Sequence, residues 1–150
     1  MTGVNMFTME RKVASDMQGM HPAEITGRPR LLLAYADAAY ASECGRYFRR
    51  LGWEVEMVAS GVEARELASE YLPNVVALEV ALLHESGWLT SAKLSTENPD
   101  LRIILVAADQ TDCTPDRLSM VGALKAVRRE DGAAALASSI LGNVTLSEAV

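Results

Sequence analysis

The residues of this chain that could carry chemistry are few, and two acids stand out among them. Glu79 falls in Asn74-Val75-Val76-Ala77-Leu78-Glu79-Val80, an otherwise almost unbroken apolar run. Such a run reads as a strand buried on both faces, in the middle of a parallel sheet. An ionisable group at the carboxyl end of a central strand stands where open α/β sheets place their ligand chemistry. Asp37 follows another apolar run, Leu31-Leu32-Leu33-Ala34-Tyr35-Ala36. Its carboxylate can accept the free amides of a helix's first turn.

Other chemistries find little support. His84 and Glu85 near Asp37 would be a pair of lone metal ligands, and a solvated loop is the simpler reading. His21 lies in the N-terminal segment. Neither Ser86 nor Cys113 has a histidine base at a recognisable spacing, which argues against nucleophilic catalysis. Cys44 and Cys113 lie far apart and fit no metal or redox spacing, so they read as reduced thiols. Ala36-Asp37-Ala38-Ala39 contains no glycine, which excludes a dinucleotide cradle. No cofactor and no metal are expected, and no enzymatic turnover.

The elements that must position the two acids follow from the pattern. Residues 1–28 show no sustained period and read as a mobile tail, with at most a short amphipathic helix within 6–17. Leu31–Ala36 is the first strand. After the Asp37 cap, Tyr40, Cys44, Tyr47, Phe48 and Leu51 form one helical stripe, which Gly52 ends. Trp53–Val58 alternates and reads as an edge strand. Ser60-Gly61 opens a second helix, with Ala64, Leu67, Ala68 and Tyr71 inward, and Pro73 stops it. Asn74–Val80 is the third strand, and a helix follows over Gly87–Thr96 with Trp88 as a packing residue. Leu101–Ala107 is the fourth strand. Thr114-Pro115-Asp116 starts a short helix that ends at Gly122. Ala123–Val127 is the fifth strand, and a helix capped by Asp131 runs from Ala133 to Leu141, before Gly142 and a polar end.

Five strand–helix units at this spacing predict an α/β fold, a five-stranded parallel doubly wound sheet. The domain spans 29–142, with tails over 1–28 and 143–150. Hydrophobic content of 49% with 23% charged residues suits a soluble globular chain. A net charge of −6 argues against binding nucleic acid by phosphate neutralisation. No apolar run approaches a membrane span and no secretory signal is visible, so a cytoplasmic location is expected.

Several local signatures are specific. They are the join at Asp37, the Leu51-Gly52-Trp53-Glu54-Val55 turn, Pro73-Asn74-Val75-Val76-Ala77-Leu78 and Gly87 eight residues past Glu79. Pro99-Asp100-Leu101 and Gly122-Ala123 complete the set. On these, residues from about 30 to 141 resemble the receiver domain of response regulators (CheY-like), with almost no gaps. The resemblance implies strand order 2-1-3-4-5 and a phosphorylation site above strands 1, 3 and 4. It also shows a site taken apart. The magnesium-binding acid pair falls on Tyr35 and Ala36, the phosphoacceptor aspartate on Glu79, the hydroxyl residue on Ala107 and the lysine on Arg129. The aromatic switch position falls on Ala126.

Magnesium needs hard oxygen ligands, and only Asp37 and Glu79 remain to supply them. The resemblance therefore implies a degenerate pseudo-receiver, a phosphorylation-independent signalling module that acts by binding another signalling protein or a second copy of itself. Glu79 opposite Arg129 could pair bidentately and lock the site. Alternatively, both could point to water. The expected partner surface lies on the fourth and fifth helices and the fifth strand, with Leu118, Lys125, Ala134 and Ser138. The early end of the chain implies that no output domain is attached. Two alternatives stand beside this reading. One is a small-molecule sensor with a cavity lined by Tyr35, Ala36, Ala107 and Ala126. The other is residual phosphotransfer with Asp37 as the acceptor.

Overall fold

The computed structural model describes residues 27–149, with side chains described up to Leu141. The N-terminal segment, including the short helix expected within 6–17, lies outside the described residues. Five parallel strands form one sheet in the order β2-β1-β3-β4-β5. They are β1 (Arg30–Ala34), β2 (Glu54–Val58), β3 (Val75–Glu79), β4 (Arg102–Ala107) and β5 (Lys125–Arg128). The helices between and after them are α1 (Ala38–Arg50), α2 (Gly61–Tyr71), α3 (Gly87–Glu97), α4 (Pro115–Met120) and α5 (Gly132–Ala149). This is the doubly wound parallel fold expected from the strand–helix alternation, with the strand order that the resemblance to receiver domains implied.

The two central strands explain why their sequences carry no alternation. Leu31–Ala34 and Val75–Leu78 are wholly buried, because helices cover both faces of the sheet. One layer of core joins Leu31, Leu33, Tyr35, Cys44, Phe48, Val75, Ala77, Leu136 and Ile140, under α1 and α5. The other joins Leu32, Ala34, Ala64, Val76, Leu78, Leu94, Ile103 and Leu105, under α2 and α3. Each fully buried Leu, Ile or Val contributes roughly 1.5–3 kcal/mol. The edge strand β2 is only partly covered, as its alternation predicts.

Helix starts follow the side chains that cap them. Asp37 Oδ1 accepts from Ala39 N at 3.1 Å and Tyr40 N at 3.2 Å. Ser60 accepts from Glu63 N, and Thr114 accepts from Arg117 N with Pro115 at the first helical turn. Pro73 follows Leu72, which closes α2 in the left-handed conformation at φ 55°.

Four expectations need correction. Leu51 is half exposed and caps α1 instead of extending its buried stripe. The fifth strand begins at Lys125, two residues late, because Ala123 N turns back to Leu118 O and only then does the chain join β4. Asp131 ends a one-turn 3-10 helix, Arg129–Asp131, and its carboxylate accepts from Arg128. The last helix passes through Gly142 and runs to Ala149, so most of the expected C-terminal tail is helical. A lone glycine inside a helix costs only about 1 kcal/mol relative to alanine, too little to stop it.

The Tyr35 and Tyr40 rings meet at a 45° tilt with centroids 4.7 Å apart in the α1 layer, and neither buried hydroxyl makes a well-formed hydrogen bond. Burial, with Cys44 beside them, pushes both phenols well above their ordinary range. The same burial lifts the Cys44 thiol to about 11. An unsatisfied buried hydroxyl costs roughly 1–3 kcal/mol. Tyr35→Phe should therefore raise stability by about 1 kcal/mol, read as a higher thermal midpoint. A lower midpoint would show that the hydroxyl has a partner in solution.

Candidate functional site

The carboxyl ends of β1 and β3 place Glu79 and Asp37 side by side. Past Ala34 the chain leaves the β1 ladder, and Tyr35 N still donates to Val58 O at 3.0 Å. The next two amides have no strand to bond. Glu79 takes them: Ala36 N donates to Oε1 at 2.7 Å, and Asp37 N lies 3.4 Å from the same oxygen. Glu79 is only 4% exposed, so this carboxylate is a structural partner of the β1–α1 turn as well as a charge.

Its other oxygen meets a guanidinium. Arg129, in the 3-10 turn after β5, donates from Nη1 to Glu79 Oε2 at 2.6 Å. The same nitrogen lies 3.8 Å from Asp37 Oδ2. Of the two readings of Glu79 and Arg129, the ion pair is the one formed, but end-on through one nitrogen, with Asp37 on its other side. The alternative in which both groups face water does not hold. Glu79 is nearly buried, whereas the Arg129 side chain is 38% exposed, so solvent screens the pair from one side.

A magnesium ion does not fit these residues. It requires near-octahedral oxygen coordination at about 2.0–2.1 Å. Both Glu79 oxygens are engaged, Asp37 Oδ1 caps α1, and a cationic nitrogen lies between the two carboxylates. Tyr35 offers no oxygen there, since its side chain is in the α1–α5 core. Among the described residues, no group of three or more His, Cys, Asp or Glu side chains could hold a metal ion.

The remaining positions lie as follows. Ala36 is exposed at the rim, and Ala107 is 4% exposed at the end of β4, paired in register with Arg128. Ala126 is half-buried against the α2–α3 layer. Tyr35 and Ala126 therefore pack on opposite faces of the sheet, and the cavity expected between Tyr35, Ala36, Ala107 and Ala126 is not formed by these four side chains. Lys125, Ala134 and Ser138 are exposed. Leu118, expected on the same surface, is instead buried at 9% and packs into the core. Its outer edge contributes to a groove of about 590 Å³ with Pro115, Ser119, Gly122, Leu124 and Lys125.

One cluster escaped the sequence reading. Glu85 is 9% exposed, not in a solvated loop. Arg65 of α2 binds it with Nε to Oε2 at 3.1 Å and Nη2 to Oε1 at 3.2 Å. Lys93 and Thr90 of α3 add bonds at 3.1 and 2.6 Å. Burial alone would raise this carboxyl, but the bonds from Arg65, Thr90 and Lys93 outweigh it and hold it at about 2. His84 beside it is exposed, in the left-handed region at φ 68°. The available signal was the charge complementarity of Arg65 and Lys93, but nothing in their spacing shows that they share a partner.

Comparison with known proteins bears on the fold. No protein-family model matches the chain. A curated relative, the probable transcriptional regulatory protein TcrX of Mycobacterium tuberculosis, is 32% identical over 94 residues, covering 62% of this chain. The chain spans 39% of that relative's length. A CheY-like response regulator receiver domain from Methanospirillum hungatei superposes with a TM-score of 0.72 at 18% identity, over 81% of this chain and 97% of its own. A CheX–CheY complex with BeF3 and magnesium from Borrelia burgdorferi gives 0.73 at 15%, over 79% and 92%. A response regulator from Burkholderia pseudomallei with a phosphorylated aspartic acid gives 0.69 at 20%, over 81% and 71%. These solved structures establish the fold as that of receiver domains.

Proposed function

We propose that this chain is a degenerate receiver module that signals by binding another protein, independently of phosphorylation and with no turnover of its own. The observation that carries this reading is the Arg129 guanidinium, 2.6 Å from Glu79 and 3.8 Å from Asp37. A receiver uses a metal to neutralise charge on a transferring phosphoryl group. Here a fixed side-chain cation neutralises the carboxylates instead, and the acceptor oxygen is tied to it. Ala107 offers no hydroxyl to a phosphoryl group, and Ala126 no aromatic ring to report one.

The partner surface on this reading is the α4–β5 groove together with the exposed side of α5, around Lys125, Ala134 and Ser138. Leu124 and Met120 are exposed beside the groove, at 56% and 82%. Another signalling protein or a second copy of the chain would bury them. The relative's name refers to transcription, and this module would serve that process through a protein contact.

Incubation with a small phosphodonor and magnesium, followed by intact-mass measurement, should leave the mass unchanged. One added phosphoryl group, on Glu79 or on Asp37, would overturn the reading. Glu79→Gln should lower the stability of the β1–α1 turn, read as a lower thermal midpoint; an unchanged midpoint would mean that the ion pair locks nothing.

A further inference from the structure

The helix most exposed to that groove is too short to hold itself. Residues Pro115–Met120 make fewer than two turns, and helices of this length are unstable in water without tertiary contacts. Besides packing against β5 and burying Leu118, it is held by side chains of α3. Ser91, wholly buried, donates from Oγ to Val121 O at 2.7 Å, and Ser95 Oγ lies 3.2 Å from the same oxygen. This carbonyl lies at the C-cap of α4, where no helical partner exists.

Two further contacts complete the attachment. The Arg117 guanidinium sits over the Trp88 ring, 4.3 Å from its centroid, so the two helices also meet through a cation–π contact. Gly122, at φ 74°, lets the chain turn against Ser95, where a Cβ would come within 2.3 Å of the serine's own Cβ. On the far side, Gln110 Nε2 donates to Ala126 O at 2.7 Å, tying the β4–α4 loop to β5. Neither Glu79 nor Arg129 takes part in any of these bonds.

We infer that the pose of the α4–β5 face is set by this clamp, with Ser91, Ser95 and the Trp88–Arg117 pair as positioning residues, and is uncoupled from the Glu79–Arg129 site. The inference rests on the proposal that this face binds a partner, because only then does its pose matter. Removing both hydroxyls frees the Val121 carbonyl, which the short helix cannot satisfy itself. Local opening of α4 then becomes more frequent while the central strands stay closed.

Amide hydrogen exchange on the isolated protein tests this without a partner. The amides of Leu118, Ala123 and Leu124 bond to Thr114 O, Leu118 O and Ile103 O, and so report on the pose. In a Ser91→Ala, Ser95→Ala double variant they should exchange about tenfold faster, with β1 and β3 amides unchanged. Arg117→Ala, a surface change that should not impair folding, should accelerate them in the same direction. Glu79→Gln should leave their rates unchanged. Unchanged rates in the serine variant, acceleration spread equally over β1 and β3, or equal acceleration by Glu79→Gln would each overturn the clamp. Partner capture, measured separately, tests the face itself, so the two failures are distinguishable.

Discussion

Gly87→Ala should lower stability by about 3 kcal/mol, the largest loss from any single added methyl group at a glycine near the site. The position opens α3, and its own amide donates to Val80 O at 2.8 Å. A Cβ there would come within 2.4 Å of the Glu79 carbonyl oxygen and 2.9 Å of Val80 Cα. Both are backbone atoms at the end of a central strand, so no side chain can swing aside. Either α3 retreats from β3 or the end of β3 bends. Bending would also move the Glu79 carboxylate away from Ala36 N and Arg129. Thermal unfolding should show a midpoint lower by about 10 °C. A change within about 1 °C would mean that the close approach does not exist in solution. Gly52→Ala is the contrast. At φ 95° its backbone is strained for alanine, but nothing lies within 4 Å of the added atom, so the loss should be about 1 kcal/mol.

The same two positions show why the fold was legible in the sequence. Gly52 and Gly87 mark a helix end and a tight approach, and Pro73 marks a stop. Alongside them, the unbroken runs Leu31–Ala34 and Val75–Leu78 admit only a two-sided environment. Each of these signals is local, so reading along the chain recovers the elements and their order. The ion pair was legible only in part. Glu79 and Arg129 are 50 residues apart, and their meeting follows from topology, which the resemblance supplied. What sequence could not supply was the geometry: a single nitrogen shared between two acids, and an oxygen of Glu79 already committed to Ala36 N. Helix ends set by weak penalties were also illegible, as at Gly142, where one glycine competes with a whole helix.

Arg129 has a consequence for what the site can still do. A divalent cation binds only while it stays; a guanidinium attached to the chain is always present. The half-exposed position of Arg129 makes the pair modest as a source of stability. Its effect is to occupy. Glu79 and Asp37 are held near one positive charge, and their oxygens accept from amides of the β1–α1 join. On the proposed function, a site built this way has one resting state, and information would enter or leave through surfaces.

Glu85 should give the protein a stability loss in acid that Glu85→Gln removes. The carboxyl is held at about 2, against an ordinary value of 4.5, with burial opposed by the bonds from Arg65, Thr90 and Lys93. A depressed folded-state value means that the unfolded chain takes up a proton first. The contribution is therefore complete above about pH 4.5 and is lost as pH falls through about 2. It amounts to at most about 3 kcal/mol, and less to the extent that solvent screens Lys93, whose side chain is 43% exposed. Glu85→Gln should cost about 2–3 kcal/mol at pH 7, because Arg65, 25% exposed, loses its partner and Thr90 keeps only a neutral acceptor. Between pH 5 and pH 2 the variant should lose less stability than the parent, so their denaturation midpoints converge. Parallel curves over that range would assign the acid sensitivity to other carboxylates. The cluster joins α2 to α3 across the loop that follows β3, and Gly61 packs into it so tightly that a Cβ would overlap Thr90 Oγ1. If Glu85 is neutralised, the helix pair loosens on the side of the sheet that carries Ser91, Ser95 and the start of the α4 attachment.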